Sequence, residues 1–491
     1  MAVSLDDVPE LAIEKIMSYL AWPHAVSALV LSHRFHENAW ARSSLWPVLQ
    51  EQRAAVLLGS PQSYRRSRAD LPRTAKSTIA LAFSSDRKTL ASTHGDHTVK
   101  IVDVVSSTVQ ATLEGHPRTP WTVKFHPFKP NIVASGCLGG QLRVWDTTNP
   151  NGLHHVNLPH PVISLSFHPD GTRLAAAAGT QLFIWEYSKG NLGLKIMLQT
   201  KVSLRCVRFL DQNRLLVGIR SRTPHDVGLT SYIRAARAQL HLFCYDQARI
   251  DSGAGLTDPV MIVKHALLYN DAGLDVTSDC RSVLTCAEFL SKPTMPPLSP
   301  CTPETFSASG ELAVEPEEAR QLPRVAHLIQ VSLVPTTHAH PGSAAMQVDM
   351  DSEDWVQGEQ GAQDEPRWQR GCGEIIRQTC LEGLWGASQG GTFVTSVKLS
   401  PTGEFVLLGC SRGNSENAED GEGLASPNDQ HPVAAVWRLG DMARMETLTS
   451  MASDEDDANV ALFHPRPGAG VVYGTKQGHI ACALAAAPYP W

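Results

Sequence analysis

Four phenylalanines stand at equal intervals of 42 residues: Phe83, Phe125, Phe167 and Phe209. Each closes a short run in which apolar and polar residues alternate, IALAF, WTVKF, ISLSF and LRCVRF. Alternation of period two turns one face of a strand toward a core. A turn follows each run, most plainly in FHPDG, where Pro, Asp and Gly each favour a reversal for a different steric reason. A fixed interval of this length demands one supersecondary unit repeated along the chain, since no such unit buries its apolar face alone.

Each unit continues in the same order. TLASTHGDHTVKIVDV, NIVASGCLGGQLRVWDT and RLAAAAGTQLFIWEY each read as strand, short turn, strand. They close on Val102-Asp103, Trp145-Asp146 and Trp185-Glu186, and Gly115-His116 precedes the second unit. A period of roughly 40–45 residues with GH and WD punctuation is the signature of a WD40 propeller blade. Later units diverge. The fourth runs to about Asp246, and the fifth carries Val276 in the Phe position and ends on residues 325–334. The sixth ends at 434–439, and the seventh begins near Asn459. With the loops at 292–322, 336–371 and 412–431 set aside, residues 76–485 divide into seven units of about 46 residues, a blade's length. The expected fold is mainly β: a seven-bladed WD40 β-propeller over 76–485, with a tail at 486–491.

Composition locates the parts outside this pattern. The chain has 491 residues and a net charge of -7, with 42% hydrophobic residues, enough for a large core and against a basic nucleic-acid binder. The charge is uneven. Stretches 292–322, 349–367, 412–431 and 453–457 hold more net negative charge than the whole chain, and read as flexible acidic loops. The rest is net basic, with Arg53, Arg65, Arg66, Arg68, Arg73 and Lys76 against Asp70 in a segment, 51–75 and its border, read as a basic linker.

Residues 1–50 follow a helical rhythm. DDVPELAIEKIMSYL places Leu11, Ile13, Ile16, Met17 and Leu20 on roughly one face, and AVSALVLSHRFHENAW and SSLWPVLQEQRAAVLL read as two further helices. The series Val8-Pro9-Glu10, Ile16, Leu20, Leu31-Ser32-His33-Arg34-Phe35 and Leu45-Trp46 resembles an F-box, the helical module that docks on the Skp adaptor of a cullin-RING ubiquitin ligase. The resemblance implies a three-helix module whose adaptor-binding residues are Pro9, Ile13, Ile16, Met17, Leu20, Leu31, Phe35, Leu45 and Trp46. A second resemblance concerns the repeats. LASTHGDHTVKI, GHPRTPWTVKFHP and VASGCLGGQLRVWD are similar to the first blades of the Ambra type of WD40 protein, autophagy regulators and cullin-4 substrate receptors. That family engages its adaptor through helices before the propeller, here residues 44–58. The two resemblances compete for one segment, and a helical lid on the ring is a third reading of it. The WDxR element of many cullin-4 receptors is absent: Thr147-Thr148 follows Trp145-Asp146.

No catalytic pattern emerges. There is no P-loop, no GxGxxG after a strand, no HExxH and no GxSxG, so no enzyme and no cofactor are expected. The ten cysteines include no CxxC, which argues against a zinc module and for a reducing compartment. His126, His168 and His464 recur in FHP turns, and Asp96 and Asp103 read as turn-formers rather than acid–base groups. The start MAVSLDDVPE lacks a signal-peptide apolar region, and the apolar runs are too short to span a bilayer. A cytoplasmic protein follows, with the basic segment leaving the nucleus open.

Binding surfaces remain. In the loop GHPRTP, Arg118 offers a forked cation to an acidic partner, with Thr119 beside it. Trp121 holds the offset from Phe125 that Ile79 holds from Phe83, and reads as core. Ser299 and Thr302 precede prolines in a Pro-rich loop and are candidates for proline-directed phosphorylation. The function these readings imply is a non-enzymatic substrate receptor of a cullin-RING ligase, holding a protein substrate on the propeller. The alternative is an interaction scaffold with no ligase.

Overall fold

The computed structural model describes residues 64–69, 71–72, 74–221, 236–253, 255–290, 324–334, 372–381, 392–412, 432–449 and 457–485, and helical residues Pro47, Val48, Gln50, Glu51 and Ala54. Within them 28 strands form antiparallel groups of four. Blade 1 runs from Thr78–Phe83 to Val109–Leu113, blade 2 from Pro120–Phe125 to Asn149–Asn157, and blade 3 from Val162–Phe167 to Leu194–Gln199. Blades 4 and 5 share one eight-stranded sheet, joined where Ala266 pairs with Ala287. Blade 4 spans Leu204–Phe209 to Thr257–Leu268, and blade 5 spans Leu274–Val276 to Ile375–Cys380. Blade 6 runs from Thr392–Leu399 to Ala443–Thr449. Blade 7 takes Ala458–Phe463, Gly470–Thr475 and Ile480–Ala485 from the end of the chain and Tyr64–Arg68 from its beginning.

The innermost strand of each of the first four blades ends on one of the evenly spaced phenylalanines. In six blades the register between first and second strands shifts at one recurring place, as at Pro120/Thr122 and Val162/Ser164. A bulge there bends the inner strand and sharpens its twist. The core lies between neighbouring sheets. Leu142 and Val144 of blade 2 pack with Leu165, Phe167 and Trp185 of blade 3, and Ile163 of blade 3 packs with Val207 and Phe243 of blade 4.

The repeated histidines explain themselves in this frame. His126 Nδ1 accepts the amides of Phe128 and Lys129 at 3.0 Å, and His464 Nδ1 accepts that of Arg466 at 3.0 Å. Each ring then meets the next blade's phenylalanine edge-on: His464 on Phe83 at 5.9 Å, His126 on Phe167 at 5.3 Å, His168 on Phe209 at 4.8 Å. One residue thus closes a turn and joins two blades.

Three expectations change. The segment read as a linker holds the outer strand of blade 7, Tyr64–Arg68. The last strand of blade 5 is Ile375–Cys380, and of residues 325–334 those up to Ser332 form its third strand. The acidic stretches do not stay wholly outside the fold. Arg412 ends a strand, and Asp457 is buried between Arg412 at 3.2 Å and Lys476 at 3.1 Å. Most of 292–322, 336–371 and 412–431 lies outside the described residues, as does the tail.

Candidate functional site

The loop from Gly115 to Thr119 is held from beneath by blade 2. Gly115 has φ +126°, and a Cβ there would stand 3.0 Å from the Arg143 guanidinium, so only glycine fits. Arg143 donates to the Gly115 carbonyl at 2.8 Å while its guanidinium lies 5.0 Å from the centre of the Trp145 ring. Buried His116 meets the Ser135 hydroxyl through Nε2 at 2.6 Å, and the same hydroxyl accepts the Trp145 indole N–H at 2.8 Å. Burial, with the Arg143 charge beside it, holds the His116 imidazole down at about 3, so it is neutral at physiological pH.

On this base Arg118 is exposed, with no ion pair among the described residues, and Thr119 is half-buried, its carbonyl accepting the Leu138 amide at 3.0 Å. The two predicted partner residues therefore sit together on a braced loop. Trp121, read as core, is half-buried against the cluster between blades 3 and 4. Asp96 and Asp103 form turns as expected. Asp96 accepts the Thr98 hydroxyl at 2.7 Å, and Asp103 accepts the Ser106 amide at 2.7 Å. Hydrogen bonds from Ser106 hold the Asp103 carboxyl below its ordinary range.

A second feature joins the N-terminal segment to the ring. Glu51, 3% exposed, accepts the Thr402 amide at 3.0 Å and the Thr402 hydroxyl. Desolvation raises its carboxyl above the ordinary value, and hydrogen bonds from Ser400 and Thr402 only partly offset this. Ala54 packs against the cluster of blades 6 and 7 that contains Phe405 and Tyr473. A Cβ on Gly468, φ +72°, would fall 2.7 Å from the Gln50 carbonyl. The predicted adaptor residues Pro9, Ile13, Ile16, Met17, Leu20, Leu31, Phe35, Leu45 and Trp46 lie outside the described residues, as do Ser299 and Thr302.

Sequence reasoning missed Arg143, Ser135 and Glu51. Arg143 left a signal, an outward position beside a buried Trp on an alternating strand. Glu51 left none, because its partner is 351 positions away.

Among the described residues no group of three or more His, Cys, Asp or Glu is placed to hold a metal. Nor is any described helix long and apolar enough to cross a membrane. The described cysteines are free thiols, and burial pushes those of Cys206 and Cys410 up to about 12.

The WD domain, G-beta repeat family matches residues 71–103, 107–146 and 153–186. Among curated proteins, the chain is 35% identical over 161 residues to "Activating molecule in BECN1-regulated autophagy protein 1B" of Danio rerio. To protein 1A of that name it is 37% identical over 126 residues. The matches cover 30% and 26% of this chain but only 12% and 10% of the two zebrafish proteins. "WD repeat-containing protein VIP3" of Arabidopsis thaliana is 26% identical over 171 residues, covering 30% of this chain and 53% of that protein. Among solved structures, the Cps50 (Swd1) β-propeller domain of Myceliophteria thermophila superposes with a TM-score of 0.52 at 14% identity. It covers 86% of this chain and 100% of that domain. The chain carries WD40 repeats in a β-propeller fold, and over part of its length it is similar to BECN1-regulated autophagy proteins.

Proposed function

We propose that this protein is a non-enzymatic substrate receptor of a cullin-RING E3 ubiquitin ligase, working in the regulation of autophagy. The helices before the propeller would hold the ligase adaptor, either that of cullin-4 or Skp. The propeller face carrying Arg118 and Thr119 would hold the protein substrate. The mechanism is positional: tethering raises the local concentration of substrate lysines at the conjugating enzyme. The observation that carries this reading is the docking of helical residues Glu51 and Ala54 on blades 6 and 7. A helix clamped to the ring fixes the distance between an adaptor and whatever the ring holds. The autophagy link rests on the names of the zebrafish relatives. The adaptor face proposed is the series from Pro9 to Trp46, and phosphorylation of Ser299 and Thr302 would add a regulated contact. The reading needs a cytoplasmic protein with access to the nucleus.

The same clamp favours a second reading, an interaction scaffold in which these helices merely complete the ring. Affinity purification from cells separates the two. Skp with the first cullin supports the F-box arrangement, and cullin-4 with its propeller adaptor supports the Ambra-like one. Recovery of neither, where both are abundant, rejects the ligase. Leu20→Asp is expected to abolish adaptor capture while the propeller still melts cooperatively; loss of the whole fold would show that the helices are a structural lid.

A further inference from the structure

The innermost strands enclose a central cavity of about 400 Å³ whose polar lining is mostly charged. Lys124 and Arg208 each stand one position before the phenylalanine that ends an inner strand, and Lys398 stands one before Leu399. Blades 2, 4 and 6 thus send three cations into one space. The corresponding residues of blades 1, 3 and 7 are Ala82, Ser166 and Leu462, which also line the cavity.

Two carboxylates face them, both from the start of blade 5. Asp271 accepts the Thr122 hydroxyl at 2.7 Å and pairs with Lys124 at 3.1 Å. Asp275 pairs with Arg208 at 2.8 Å and accepts the Leu399 amide at 3.0 Å. Lys398 has a neutral acceptor, the Leu274 carbonyl at 3.1 Å. Three cations against two anions leave a net charge of one positive in the channel. Lys124 and Arg208 keep 35% and 37% of their side chains exposed, and Asp275 acts on both Arg208 and Lys398, so one further negative charge would complete the balance. The three side chains also carry more N–H donors than the described residues accept, in the forked and point-like arrangements that suit oxyanions.

We propose that the central channel binds a small oxyanion, a carboxylate or phosphate, between Lys398, Arg208 and Lys124. A volume of about 400 Å³ is ample for a free phosphate or one acidic side chain. Desolvation by the channel walls holds the Lys398 ammonium down at about 8; Asp275 opposes it, and smaller repulsions from Arg208 and Lys124 add to it. It is still charged at neutral pH, and an arriving anion would stabilise that charge.

The test uses the full chain with two probes, inorganic phosphate and an amidated, acetylated glutamate. Ionic strength is matched throughout with sodium chloride. The expected result is a rise in Tm with probe concentration and broadening of the phosphate ³¹P signal. Lys398→Met, which keeps length and packing, is expected to weaken binding by about tenfold or more, and Lys398→Arg to retain it. If Lys398→Met does not fold, Lys124→Met, at a more open position, is expected to weaken phosphate in the same direction. Competition between the probes supports a site for either source, phosphate alone a free anion, and glutamate alone a partner's acidic side chain. No response to either probe beyond sodium chloride overturns the proposal, as does equal binding by the folded Met variants and the native chain. The result is independent of whether an adaptor binds the N-terminal helices.

Discussion

His116, Ser135 and Trp145 show how one small side chain supports the loop from Gly115 to Thr119. Ser135 bonds one nitrogen in each of two large buried rings with a single hydroxyl. Its removal leaves an indole N–H and an imidazole nitrogen without partners in a dry space, where each unmet group costs on the order of 1–3 kcal/mol. Ser135→Ala is therefore expected to destabilise the protein by about 2–4 kcal/mol in urea titration, and a change below about 0.5 kcal/mol would contradict the geometry. The histidines set the acid limit. Burial holds His94 down at about 4 and His116 at about 3, both below the ordinary value of 6.5. The folded state favours their neutral forms. Their stabilisation is complete above pH 6.5 and is lost as pH falls toward the folded-state values. For His94 alone the loss is on the order of 3 kcal/mol. Melting curves from pH 7 to pH 4 should show Tm falling, and a flat profile would place these rings in water.

At the scale of the element, the inner strands of blades 1 to 4 end on a phenylalanine, and in three turns a histidine leans on the phenylalanine of the next blade. The strands and the FHP turns were legible because their cause is local: alternation for the strand, turn chemistry for the reversal. The aromatic contact was not, since it joins residues about one repeat apart. Blade 5 marks the limit of local signals. Its outer strand, Ile375–Cys380, is exposed at four positions in succession and shows no alternation. A long insertion separates it from the strand it pairs with. The helical residue Glu51 is a second case, because it acquires its role from Thr402. Glu51→Ala is expected to lower stability by about 1–3 kcal/mol and to speed proteolysis before residue 64 while blades 1 to 3 stay protected. Uniform protection along the chain would show that the helix does not depend on this clamp.

The whole molecule is a ring that closes twice over. Tyr64–Arg68 supplies the fourth strand of blade 7, and Asn459 donates to the Thr78 carbonyl at 3.0 Å across the seam between blades 7 and 1. Closure removes the exposed strand edges that an open row of sheets would carry. A chain beginning at residue 69 is expected to lose that outer strand and melt roughly 5 °C or more lower, with a broadened transition; an unchanged Tm would assign closure to the Asn459 seam alone.

Local sequence was sufficient for the architecture. A two-residue alternation and a 42-residue interval are properties of neighbouring residues, and they prescribe strands, turns and a repeated blade. The loop carrying Arg118 was read from the same source, whereas its bracing by Arg143 and Ser135 was not. What the tertiary structure alone decided are the features made by residues far apart in the chain. These are the strand from the basic segment that completes blade 7, the burial of Glu51 against Thr402, and the meeting of Lys124, Arg208 and Lys398 in one channel. Charges that lie dispersed along the sequence acquire a common field only when the ring brings them into one channel, and no local pattern records that proximity.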